Sequence, residues 1–137
     1  MTLQPLLSAS WAIQVHVLTL VLALIIGTWQ FALSRKGAAG HRAIGYVFIV
    51  LMIVTAIVTL FIHVRSPHSA FFGFSYLHLY VPLVFSLCGA ALYGAATHRL
   101  RLHRFAVIAL YRGSLLFTLI VQVFLAPGIT HQIFFSR

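Results

Sequence analysis

VHVLTLVLALIIGTWQFALSRKGAAGHR, residues 15–42, is the stretch whose reading decides the fold. A histidine opens it near the start of an apolar run. The turn Ser34-Arg35-Lys36-Gly37-Ala38-Ala39-Gly40 breaks that run with glycines and basic residues. His41-Arg42 then opens the next apolar run. LHLYVPLVFSLCGAALYGAATHRLRLHR, residues 77–104, echoes these marks at an offset of 62 residues: His16 falls on His78, Gly27 on Gly89, and His41-Arg42 on His103-Arg104. Histidine and arginine are scarce in so apolar a chain, so their coincidence outweighs matches among Leu and Val. The expectation is a tandem pseudo-repeat of one helical hairpin with a histidine near either end.

Working outward, 62% of the 137 residues are apolar and 7% charged, with no Asp or Glu and a formal charge of +9. Recurring apolar runs of about twenty residues mark a polytopic membrane protein. The length allows four spans in one domain, residues 1–137. Helices are expected over about 11–33, 42–64, 75–97 and 105–126. The first is about 34 Å long at 1.5 Å per residue, enough to cross the hydrocarbon. Residues 1–10 lack the charged start of a cleavable signal peptide, so this span is expected to remain. Ser66-Pro67 ends the second helix and Pro127-Gly128 the fourth. Phe71, Phe72, Phe74, Tyr76 and Tyr80 suit a headgroup-level belt, with Phe134 and Phe135 on the same surface. Arg35, Lys36 and Arg42 in one connection and Arg99, Arg101 and Arg104 in another outnumber Arg65 and Arg137 opposite. That bias puts both basic connections in the cytoplasm and both termini on the periplasmic side of an inner membrane. The fold class is all-α, an integral membrane four-helix up-down bundle.

Absences exclude several functions. The basic residues form short clusters between spans, not a continuous stripe, so no nucleic-acid binding is expected. Without carboxylates there is no acidic proton relay and no hard-cation cage. No Ser-His-Asp set, His-Glu-x-x-His motif or phosphate-cradling glycine loop is present, so no catalytic residue is assigned. Cys88, the single cysteine, reads as a small apolar filler.

Histidine and arginine remain. In an up-down bundle helices 1 and 3 lie diagonally, as do helices 2 and 4. His16 then faces His78 toward the outside, and His41 faces His103 toward the inside. Facing imidazoles are what bis-histidine ligation of haem b requires, with His16 and His78 the deeper metal-ligand pair. Arg42, Arg104 and Arg112 would pair with haem propionates. Equally, histidines at span ends serve simply as hydrogen-bonding groups toward water, lipid phosphate or backbone. Arg112 lies about eight residues into the fourth helix, roughly 12 Å from its cytoplasmic end. A charge inside a span calls for a partner, and this chain holds no acid. A propionate, a quinone oxygen, an anionic substrate or another subunit's acid would serve, as would snorkelling to lipid phosphate. Ser86, Ala90 and Gly94, with Gly89 beside them, form a small-residue packing stripe on helix 3. It supports a second reading: an accessory subunit packed on a larger membrane complex. Carboxylates of partner subunits, or anionic lipids at the cytoplasmic face, would then oppose the basic connections.

His16 in the first span, His41-Arg42-x-x-Gly45-Tyr46 opening the second, His103-Arg104 opening the fourth, Tyr111-Arg112-Gly113 and the closing Pro127-Gly128 resemble a family of small bacterial four-helix membrane proteins of unknown function. The resemblance covers nearly the whole chain and implies fold and location, but no reaction. A looser similarity, resting only on the paired histidines, links the chain to four-helix cores of b-type cytochromes. The chain departs from these in having its inner histidines at span ends.

Overall fold

Pro82 and the three-residue connection Thr97–Arg99 explain where the helices start and stop. The computed structural model describes residues 7–62 and 76–120. The expectations placed on Arg65, Ser66-Pro67, Phe71, Phe72, Phe74, Phe134, Phe135, Arg137 and the closing Pro127-Gly128 lie outside the described residues. Helix α1 is Trp11–Ala32 and α2 is Ala39–Thr59. A 3₁₀ turn, Tyr76–Leu79, leads into α3, Tyr80–Ala96. Pro82 has no N–H to donate to the carbonyl of His78, so regular α-helical bonding starts only after that turn. Helix α4 is Leu100–Ile120, and its middle, Ala109–Leu116, is π-helical. No strand occurs among the described residues. The described residues are all-helical in class, and α1, α2 and α4, at 22, 21 and 21 residues, are long and apolar enough to cross a membrane.

The four helices form a ring. α1 packs on α2, α2 on α3 and α3 on α4, while the π segment of α4 returns to α1. Inside, small residues such as Ala23, Ala56, Cys88, Ala91 and Ala106 pack with larger ones, among them Phe48, Met52, Leu110 and Leu115. Large apolar side chains point the other way: Ile25 is 60% exposed, Tyr46 61% and Phe105 68%. Helices apolar on every side are those whose surroundings are apolar as well.

His98 takes φ 55°, the left-handed conformation that ends helices and that histidine tolerates better than most side chains. This reverses the chain within three residues and presses the start of α4 onto the end of α3. A Cβ at Gly94 would lie 2.7 Å from the His103 amide nitrogen and 3.1 Å from its Cα. Helix α4 therefore begins at Leu100, five residues ahead of the expected Phe105. Arg112 becomes the twelfth residue beyond the helix start, about 18 Å along it.

The 62-residue echo does not extend to the contacts. Gly27 is buried against the Tyr111 ring, whereas Gly89 faces open space. The π-helical residues 109–116 correspond to 47–54, which are regular α-helix. The two hairpins share polar marks and differ in how they pack, so the internal repeat is not supported.

Candidate functional site

A ladder of hydroxyls runs between α1 and α2 at the end of the bundle away from the basic connections. Thr59 Oγ1 donates to the Thr55 carbonyl at 2.7 Å, so its lone pair accepts from His16 Nδ1–H at 3.1 Å. With the hydroxyl proton so used, the His16 proton is assigned to Nδ1 and the lone pair to Nε2. One turn deeper, Thr55 Oγ1 lies 2.8 Å from Thr19 Oγ1 and 2.7 Å from the Leu51 carbonyl. Thr19 donates back to its own helix, 3.0 Å from the carbonyls of Val15 and His16. Thr19 and Thr55 are both buried.

His78, in the 3₁₀ turn before α3, approaches the same end of α2. Its Nε2–H donates to the Ile62 carbonyl at 3.2 Å. Helix α4 adds Ser114 and Thr118, whose hydroxyls are buried and have no hydrogen-bond partner among the described residues. A buried unpaired hydroxyl costs roughly 1–3 kcal/mol, so it marks a place where water or another group belongs. This half of the bundle thus gathers two imidazoles, three paired threonines and two unpaired hydroxyls. No bond joins His16 to His78. Each is held instead by the end of α2.

The basic end is built differently. His41 Nδ1 lies 3.0 Å from Ser34 Oγ, and its carbonyl accepts from Gln30 Nε2 at 2.7 Å. His103 Nδ1–H donates to the Ala91 carbonyl at 2.9 Å, which again leaves the lone pair on Nε2. Between the two ends, Thr28 donates to the Leu24 carbonyl and accepts from the Tyr111 hydroxyl at 2.6 Å. The Tyr111 ring stacks obliquely on Phe31 with centroids 4.8 Å apart.

Arg112 belongs to neither histidine pair. It borders an open groove of about 550 Å³ between α3 and α4, lined by Leu83, Leu87, Phe105, Arg112, Ser114 and Phe117 among others. A second, more open groove lies on α1 around Ile25, Trp29 and Leu33. Neither has a histidine in its lining. Of the α3 stripe, Gly94 is buried against α4 and Ala90 half-buried, while Ser86 and Gly89 are exposed. The residues of α3 that fill the bundle are Val81, Val84, Cys88 and Ala91.

Composition flagged the histidines and Arg112 because they stand out against leucine, and it passed over hydroxyls. The fourfold spacing of Thr55 with Thr59 and of Ser114 with Thr118, each pair on one helical face, was the available signal. Among the described residues, no group of three or more His or Cys is placed to hold a metal ion. A family model for predicted membrane proteins (DUF2306) matches residues 13–136. No curated protein and no solved structure matches the chain.

Proposed function

Because the chain belongs to that family of predicted membrane proteins, we propose that it is an integral inner-membrane protein that binds haem b between its diagonal histidines and passes electrons across the bilayer. Three helices of spanning length and an outward surface rich in large apolar side chains support the membrane half of this reading. Such a surface would aggregate in water. The excess of Arg and Lys in the 1–2 and 3–4 connections puts that end in the cytoplasm and both termini outside. Anionic lipids at the cytoplasmic face then balance the basic turns.

One observation carries the redox half. His16 and His103, one toward each end of the bundle, both hold their proton on Nδ1 through a bond to a fixed acceptor. That second-sphere bond leaves Nε2 as the ligating nitrogen and increases its basicity. Their diagonal partners would be His78 and His41. Ligation by His78 through Nε2 requires its bond to the Ile62 carbonyl to open, so the structure favours His16 and His103 as the anchoring ligand of each pair. This shifts weight from the outer pair, which the sequence prefers, toward one histidine at each end.

The test is a reduced-minus-oxidised absorption spectrum of protein purified in mild detergent from haem-supplied cells. Soret and α bands are expected, with one haem's share lost in His16→Ala and the other's in His103→Ala. A colourless protein under these conditions refutes haem binding and leaves the membrane assignment standing. A second reading draws on the exposed Ser86 and Gly89, small residues that open the outer face of α3 to another helix. In that reading the protein is an accessory subunit, colourless alone and recovered with a fixed membrane partner whose carboxylates oppose its basic residues.

A further inference from the structure

Among the described residues, Arg112 is the one charged side chain lining the α3–α4 groove, and its surroundings are otherwise built for an apolar body. Leu83, Leu87, Phe105 and Phe117 form the walls, with the Phe117 and Tyr80 rings stacked at 6.4 Å. The guanidinium makes no hydrogen bond to any described residue, and the sequence has no Asp or Glu side chain to neutralise it. It starts about 18 Å along α4 from the basic end, where an uncompensated charge is costly in lipid. Ser114, 7% exposed and with an unpartnered Oγ, contributes to the same lining. A Cβ on Gly113, also in the lining, would meet nothing within 4 Å, so the groove has room beside the cation.

From this geometry we propose that the α3–α4 groove binds a single-chain anionic amphiphile, a long-chain carboxylate whose head pairs with Arg112 and whose tail lies along the leucine and phenylalanine walls. A planar guanidinium matches a carboxylate in a two-point contact. The groove volume falls within the range of small-molecule sites. The proposal rests on the bilayer reading of the chain and is independent of haem.

Spin-labelled stearate in vesicles containing the full-length protein provides the test. At a pH where the acid is ionised, the electron paramagnetic resonance spectrum should show an immobilised component that unlabelled stearate displaces. Arg112→Gln should weaken this binding by about tenfold to a hundredfold, the worth of a charged hydrogen-bonded contact. Arg112→Lys should retain part of it. Gly113→Leu should abolish it by filling the groove while keeping the charge, with helix content by circular dichroism unchanged. Immobilisation that survives Arg112→Gln overturns the proposal. Equal, Arg112-dependent immobilisation of spin-labelled phosphatidylglycerol overturns it in favour of a two-chain lipid, and displacement by a neutral quinone overturns the anionic head. Retention of the protein in alkali-washed membranes is scored in parallel. Loss of retention defeats the bilayer reading, whereas retention without stearate binding defeats the groove alone.

Discussion

Gly94 and Gly89 lie five residues apart on α3 and should respond in opposite senses to the same added methyl group. At Gly94 the new Cβ would fall 2.7 Å from a backbone nitrogen of α4 and 3.2 Å from the Arg99 carbonyl oxygen. Backbone atoms cannot rotate away, and the three-residue connection leaves α4 little freedom to withdraw. Overpacking of this kind costs about 1–3 kcal/mol. At Gly89 the Cβ meets nothing within 4 Å. Only the gain from replacing a helical glycine remains there, roughly 0.5–1 kcal/mol. Because that gain is common to both sites, the difference between the two variants isolates the steric contact. It should be about 1–3 kcal/mol, with Gly94→Ala the less stable. Unfolding of the detergent-solubilised protein by a rising fraction of sodium dodecyl sulfate, followed by far-ultraviolet circular dichroism, measures it. If the two variants unfold within roughly 0.5 kcal/mol of each other, less than the smallest overpacking cost, α3 and α4 do not meet at Gly94 as described. The pair also separates internal packing from external docking. A variant that leaves the isolated protein intact yet loses a co-purifying partner would be Gly89→Ala, because that glycine faces outward.

Three further outcomes follow from the same contacts. Gly27→Ala places a Cβ 2.7 Å from Tyr111 Cδ2 and 3.0 Å from Phe48 Cε2; these are side-chain atoms, so the loss should sit near the low end, about 1 kcal/mol, and the same substitution made in a Tyr111→Leu background, itself less stable for want of the Thr28 bond, should cost less in the same unfolding assay. A double-mutant cycle of Thr19→Val and Thr55→Val should give a coupling of about 0.6 kcal/mol and no more than about 1.7, as for hydrogen bonds between membrane helices, and zero coupling would remove the ladder's interhelical rung. Ser114→Ala deletes an unpartnered buried hydroxyl; in ligand-free protein it should be neutral or raise stability by up to about 1 kcal/mol, and a loss beyond about 1 kcal/mol would show that Oγ already has a partner.

The all-helical class, the four helices of the described residues and the positions of the basic turns between them were legible because each rests on a coarse signal. A twenty-residue apolar run and a cluster of arginines survive any local detail. The rest depends on geometry finer than hydropathy. The start of α4 moved five residues because His98 ends α3 in a left-handed conformation that sequence assigns more readily to glycine. The π segment at Ala109–Leu116 has no periodic signature in a helix apolar on most sides, yet it sets which residues of α4 face α1. The small-residue stripe was read at fourfold spacing, and that row turns half outward, whereas Val81, Val84, Cys88 and Ala91 lie inward. In a uniformly apolar helix the choice between two such rows is made by neighbouring helices alone.

The hydroxyls give the clearest indication of where this bundle departs from simple packing. Thr19, Thr55 and Thr59 each have a protein acceptor, and together they fasten α1 to α2 and set the ring of His16. Thr28 and Tyr111 fasten α1 to the π segment in the same way. Ser114 and Thr118 fasten nothing, although both lie on the buried side of α4. Alanine and valine would fill those positions without a desolvation penalty. Two unpartnered hydroxyls one turn apart on α4 therefore carry a desolvation cost that neither alanine nor valine would. With no Asp or Glu side chain in the sequence, the Arg112 guanidinium likewise has no acidic side chain of its own chain to pair with.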